Sequence, residues 1–150
     1  MAKKKKKKSK KTVAQRKTYP ELLLLAACDG VSRDPNTGKP TLYGIFDLLA
    51  VTKLPATAPP FTVFAKLFGG SGEHDIGLKI VGPKGEKVQD SSEIAKVKCK
   101  PSSGVILQMS IQGLTFSKLG PHRIHLVSGR KRLGRPCSIF VQKKRAEKKR

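Results

Sequence analysis

The chain has 150 residues, 37% of them hydrophobic, and a formal net charge of +22. This length and composition allow one domain with one core, and no apolar run approaches the roughly 20 residues that a membrane span needs. Three cysteines without CxxC spacing are not typical of a secreted disulfide scaffold, so we expect a cytoplasmic protein.

The positive charge is concentrated at the two ends of the chain. Residues 1–19 and 143–150 hold +10 and +5 of the total of +22, which leaves +7 for residues 20–142. Lysines three or four positions apart repel one another in a helix, and the ends offer little apolar surface to bury. We predict a disordered lysine-rich tail at 1–19, one domain at 20–142 and a disordered basic tail at 143–150.

Between the tails, the hydrophobic pattern has the two-residue period of β-strands. Residues 21–28 are apolar on both faces, as in a central strand, and residues 29–40 are rich in turn formers. The apolar stretch 41–52 is predicted as a long strand, with helix as an alternative for its second half.

Later segments continue the strand pattern. Alternation is cleanest at 94–100, where Val97 and Cys99 face one way and Lys96 and Lys98 the other. Turns rich in glycine and proline separate the segments, and a basic loop, 129–135, joins the last two. Further strands are predicted at 61–68, 74–81, 105–112, 122–128 and 136–142. About eight strands at this spacing predict a single antiparallel β-sandwich.

Short motifs add a resemblance to known β-sandwich proteins. The stretch 119–126 resembles the corner at which many Ig-like sandwiches enter a late strand, with His122 where a tyrosine is expected. Ala27-Cys28-Asp29, Gly44-Ile45-Phe46-Asp47 and the closing hairpin resemble a family of small bacterial β-sandwich domains of unknown function, over residues 20–142. The resemblance implies an Ig-like fold and supplies no catalytic residue.

Metal and thiol chemistry lack the required residue spacing. His122 and His125 are three apart, so a strand would send them to opposite faces, and no pair of His or Cys has zinc-site spacing. Cys28, Cys99 and Cys137 lie among apolar residues, which is typical of buried, unreactive thiols. We expect no metal and no cofactor.

Acid–base chemistry has candidates but no motif. Asp29 and Asp47 end or interrupt apolar stretches, yet no second catalytic group accompanies either of them. The run Gly69-Gly70-Ser71-Gly72 precedes a strand pattern, whereas a phosphate cradle needs a helix there. We therefore expect a protein that is not an enzyme.

Binding to a polyanion is the function that the charge favours. Lysine and arginine side chains release condensed counterions when they neutralise phosphates, without reading bases. Nucleic acid or the ribosome is the expected partner, bound nonspecifically. The predicted contacts are Lys3, Lys4, Lys5, Lys6, Lys7, Lys8, Lys10, Lys11, Arg16, Lys17, Arg130, Lys131, Arg132, Arg135, Lys143, Lys144 and Arg145. The lysine face of 96–100 is a possible extension of these contacts.

Two alternatives remain open. The domain could be a structural or protein-interaction unit whose basic tails are incidental. The basic start followed by Leu22 to Ala27 and Cys28 also resembles a lipoprotein signal cleaved before Cys28. However, six apolar residues fall short of the roughly 7–15 that such a signal needs.

Overall fold

The computed structural model describes residues 17–90 and 95–145, and every regular element in these ranges is a β-strand. The all-β prediction is confirmed, with thirteen strands where the sequence predicted about eight. Within the same ranges no helix has the length and apolarity to cross a membrane. The strands are β1 (Glu21–Cys28), β2 (Gly30–Arg33), β3 (Pro40–Tyr43), β4 (Leu48–Val51), β5 (Ala56–Thr57), β6 (Phe61–Phe68), β7 (Gly72–Val81), β8 (Lys87–Asp90), β9 (Ala95–Cys99), β10 (Gly104–Ile111), β11 (Thr115–Phe116), β12 (Gly120–Ser128) and β13 (Lys131–Lys143).

Two main sheets carry most of the strands. The smaller has the order β1-β6-β10, and the larger has the order β4-β13-β12-β7, with β8 and β9 both paired to the far edge of β7. Strands β4 and β13 run parallel, and the other pairs in both sheets are antiparallel. Two small antiparallel pairs, the hairpin β2–β3 and the long-range pair β5–β11, complete the described part of the chain.

One hydrophobic core takes side chains from both main sheets. Ala65 and Leu67 of β6 and Leu78 of β7 are buried, together with Ile124 and Leu126 of β12. Alternation places these residues on the inward faces and their sequence neighbours on the opposite faces of the sheets. The clean alternation predicted for 94–100 is also confirmed, because Val97 and Cys99 are buried while Lys96 and Lys98 are exposed.

The predicted strand at 41–52 is interrupted at Gly44. This residue has φ of +65°, and the Asp29 carboxylate packs so closely that a Cβ at Gly44 would overlap it. The backbone therefore turns between β3 and β4, and neither the continuous strand nor the alternative helix forms. The predicted loop 29–40 instead supplies β2 and most of the turn that pairs β2 with β3.

The predicted basic loop 129–135 is mostly strand. Only Gly129 and Arg130 form the turn, and β13 begins at Lys131. Its pairing with β12 shifts between Leu133 and Cys137, so the residues between them bulge outward. At Gly134, φ is +61° and a Cβ would come within 2.9 Å of the Leu22 Cβ, which lets β1 pack against this bulge.

His122, the residue at which the sequence resemblance expects a tyrosine, lies in the core at the start of β12. Its Nδ1 lies 3.0 Å from the carbonyl oxygen of Gly120, and its ring meets Phe116 edge to face with the centroids 4.7 Å apart. The buried imidazole thus makes a backbone contact two residues upstream, which fixes the start of β12 against the core.

Leu67 and Leu23 offer a matched test of where the core lies. Leu67 is 0% exposed and Leu23 is 50% exposed. Because a buried leucine leaves a cavity, we expect L67A to lower the free energy of unfolding by about 2–5 kcal/mol and L23A by less than about 1 kcal/mol. Urea denaturation measures both values, and comparable losses would contradict the assignment of β6 to the core.

Candidate nucleic-acid interface

The predicted nucleic-acid contacts fall into separate groups. Lys3 to Lys11 and Arg16 lie outside the described residues. Arg130, Lys131 and Arg132 lie at the β12–β13 turn and are exposed, while Arg135 lies in the bulge of β13. Lys143, Lys144 and Arg145 lie at the far end of the same strand, a path of up to about 40 Å for thirteen residues.

The first described residues are attached to the turn before β7. The amide of Ser71 donates to the carbonyl of Thr18 at 2.9 Å, and the amide of Thr18 donates to the Ser71 hydroxyl at 3.0 Å. The ammonium of Lys17 donates to the carbonyl of Glu73 at 2.9 Å. This attachment, the N-terminal clamp, fixes the point from which the lysine-rich segment extends.

The imidazole of His74 closes the clamp. Its Nε2 lies 3.1 Å from the carbonyl oxygen of Thr18 and 2.9 Å from that of Ser71, and since both are acceptors, Nε2 carries the proton. The ring centroid of Tyr19 lies 5.2 Å from that of His74, and the Lys131 ammonium lies 5.0 Å from the tyrosine centroid. The clamp therefore lies beside the β12–β13 turn.

These contacts bring one group of predicted residues together. We call Lys17, Arg130, Lys131 and Arg132 the basic end, because they lie at the end of the large sheet where the clamp holds the chain. The C-terminal group of 143–145 lies at the opposite end of β13. The ten positive charges of residues 1–17 thus join the basic end at Lys17.

The lysine face of β9 has acids opposite it. Lys96 pairs with Asp75 and Lys98 with Glu73 in the β7–β9 register, so each pair lies on one face of the sheet. Opposite charges at this spacing reduce the positive potential. Lys96 and Lys98 are consequently a weaker extension of the interface than their sequence pattern indicates.

A second group of cations, which shares Arg132 with the basic end, lies on the outer face of the large sheet; the sequence analysis did not predict its other members as contacts. His125 is opposite Lys79 in the β7–β12 register, and Arg123 is two residues earlier on the same strand. Arg132 is opposite Val127, one step further along that face. We call Lys79, Arg123, His125 and Arg132 the His125 cluster.

The environment of His125 disfavours its protonated form. Its side chain is buried although it belongs to the outer face. Burial lowers the pKa of His125, and the positive charges of Arg132, Arg123 and Lys79 lower that pKa further. The three cations are therefore close enough to act on one group.

The acid candidates lie near an apolar cavity of about 250 Å³. Asp29 is exposed at this cavity, whose other walls include Phe46, Phe61 and Ile139, and Asp29 is the one titratable group in its lining. The amide of Asp29 donates to the carbonyl of Gly44, and the amide of Phe46 donates to that of Ala27. Two of the segments that carry the family resemblance are thereby joined, and the third, β13, supplies Ile139.

The histidines, the cysteines and the glycine run that the sequence analysis considered as chemical sites are part of the packed fold. His122 lies in the core and His125 on the outer face, and within the described residues no group of three or more His, Cys, Asp and Glu could hold a metal ion. Cys28 is buried at the end of β1, so cleavage before it would remove the strand that pairs with β6. Gly70 packs against the clamp and is followed by β7.

Comparison with known proteins identifies a family and no activity. The sequence model of the Family of unknown function (DUF6941) matches residues 23–136. No curated protein matches the chain significantly. Among solved structures, a β-glucosidase from Listeria innocua is 12% identical with a TM-score of 0.43, and covers 82% of this chain and 16% of its own.

A second solved structure has a similar level of likeness. The β-D-glucoside glucohydrolase from Trichoderma reesei is 18% identical with a TM-score of 0.46, covering 83% of this chain and 19% of its own. The chain thus spans less than a fifth of either enzyme. Both TM-scores lie below 0.5, so neither likeness supports an argument about fold or activity.

Gly70 provides a test of the N-terminal clamp. Its φ is +82°, and a Cβ would come within 2.8 Å of the Pro20 nitrogen and 2.9 Å of the Thr18 carbonyl oxygen. Gly38 also has positive φ, +68°, but has nothing within 4 Å. We expect G70A to lower the free energy of unfolding by about 1–3 kcal/mol more than G38A. Denaturation measures this difference, and hydrogen exchange should show faster exchange of the Ser71 amide; equal losses would rule out the close packing.

Cys137 provides a test of thiol reactivity. Burial raises the pKa of Cys137 to about 11. Because only the thiolate reacts, we expect it to react with a disulfide reagent near neutral pH about two orders of magnitude more slowly than an ordinary thiol. The reaction in urea is the control, where the rate should become ordinary. Cys137 is only partly buried by its accessible surface, and a native rate equal to that of free cysteine would contradict the raised pKa.

Proposed function

The chain belongs to the Family of unknown function (DUF6941), and we propose that it is a non-enzymatic module that binds nucleic acid at the basic end. The observation that carries the proposal is the N-terminal clamp. It holds Thr18 on Ser71 and places Tyr19 beneath Lys131, so the lysine-rich segment joins the chain beside Arg130 and Arg132. Two groups of cations distant in sequence then act on one ligand.

The physical basis is the release of counterions from phosphates. Each phosphate neutralised on duplex DNA makes log affinity fall with log salt by about 0.9. Residues 1–17 supply ten cations and no acid, and Arg130 to Arg132 supply three more. Lysine contributes a point charge without bidentate geometry, so binding at the tail is independent of base sequence.

The proposal also covers the fold, the cellular location and the partner. We interpret the two main sheets as the layers of a single Ig-like sandwich, because one core takes side chains from both. We also propose a cytoplasmic location, with free nucleic acid or the ribosome as partner. The three cysteines are unpaired, which suits a reducing compartment.

A protein-interaction domain is the second candidate function. Exposed apolar side chains lie beside β4, an edge strand of the large sheet: Tyr43, Ile45, Leu48 and Phe140 are each about half exposed or more. Leu48 and Phe140 are register partners and share a face. Such a patch at an edge strand is typical of contact with another protein.

Two matched triple variants test the nucleic-acid proposal. R130Q/K131Q/R132Q removes three charges at the basic end, and K143Q/K144Q/R145Q removes three at the other end of β13. Fluorescence anisotropy with mixed-sequence duplex DNA and RNA gives affinity against salt for the full chain. We expect the first variant to lower affinity about tenfold or more and to reduce the salt slope by about 2–3, and the second to change affinity less than about threefold.

Each outcome has a defined meaning. If the unaltered chain does not bind DNA or RNA at low salt, the nucleic-acid proposal is wrong, and the protein-interaction domain becomes the hypothesis. Equal losses in the two triple variants would overturn the basic end as the location. A salt slope that does not change in the first variant would mean that Arg130 to Arg132 make no phosphate contact.

A further inference from the structure

The large sheet presents a cationic surface beyond the basic end. On its outer face, His125 of β12 has Lys79 of β7 on one side and the bulge of β13 on the other. Arg123 precedes it by two residues, which is about 7 Å along the strand. Each cation occupies a fixed register position, since the inward neighbours Ile124 and Leu126 are both 0% exposed.

We propose that the His125 cluster is a phosphate-binding surface, on which the nucleic-acid backbone lies across the outer face of the large sheet and continues to the basic end. The inference rests on the proposed function and deepens it by assigning contacts to Lys79 and Arg123. These side chains stand on paired strands, so their positions are set by the sheet.

The acids around the cluster offset only part of its positive charge. On β7 and β8, Lys79 has Asp90 as its register partner, but the Asp90 carboxylate is ion-paired with Lys87. Asp75 lies further along β7, opposite Lys96. On β12 and β13, Arg123 has Ser138 opposite it, so no acid faces this arginine from β13.

The surface is continuous with the basic end. A cleft of about 490 Å³ is lined by Lys79, Arg130 and Arg132, with the carboxylates of Asp75 and Asp90 on the β7–β8 side. Its apolar floor includes Val127. A backbone that follows β12 meets Arg123, then Lys79, then the two arginines, and it keeps the acids to one side.

The buried histidine makes this surface sensitive to pH. The cations around His125 lower its pKa in addition to the effect of burial. A bound phosphate offsets their charge and raises that pKa, so binding is accompanied by proton uptake. Affinity should therefore increase as pH falls. Lysine and arginine do not titrate in the neutral range, so these side chains add no such dependence.

The test uses the full chain and single-stranded oligo(dT) without a terminal phosphate, a probe with no group that titrates near neutral pH. We expect affinity to increase about fivefold or more between about pH 7.5 and about pH 5.5. H125Q should abolish most of this increase, because glutamine carries no charge at either pH. K79Q/R123Q should lower affinity about tenfold at either pH, and K39Q/K66Q, an equal charge change in the cleft beside β6 of the small sheet, should have little effect.

A second measurement does not depend on variants. NMR of the imidazole protons should show the pKa of His125 rising on addition of oligo(dT), with His122 in the core as the internal reference. Binding with neither pH dependence nor a change at His125 would overturn the proposed surface and leave binding at the basic end intact. A pH dependence that persists in H125Q would also overturn it. Failure of the probe to bind at low salt would overturn the proposed function itself.

Discussion

The pairing of β12 with both β7 and β13 is the constraint on which the proposed interface depends. Ile124 and Leu126 are held in the core by this pairing, and alternation then places Arg123 and His125 on the opposite face. The same pairing positions the turn that carries Arg130. Because strand side chains repeat every two residues, a slip of one residue would bury the cations and expose the core.

The fold class was predictable because strand periodicity is local. The segment 61–68 coincides with β6, and the buried face of 94–100 is as expected. The number of strands was not predictable, since it depends on contacts between distant residues. Gly44 divides the apolar stretch 41–52 because the Asp29 carboxylate packs on it, and the sequence does not show that proximity. The bulge near Gly134 likewise depends on where β1 packs.

The interface was predictable in its charge and not in its arrangement. The charge of Arg130 to Arg132 was evident from the sequence, but their proximity to Lys17 depends on the hydrogen bonds between Thr18 and Ser71. Arg123 and Lys79 were missed since they are 44 positions apart and meet only through the β7–β12 register. The sequence analysis considered His125 as a metal ligand. Its cationic neighbours could be recognised only from the pairing of β12 with β7 and β13.

The two sources of positive charge differ in what they can specify. In the proposed interface, lysines of the N-terminal segment supply point charge without the geometry that would select one polyanion over another. Cations on paired strands have their spacing set by the sheet. Glu73 and Asp75 oppose the lysines of β9, so the favourable path runs along β12 rather than across β9. The proposed interface therefore combines nonspecific attraction by the lysine-rich segment with cations whose positions are set by the fold.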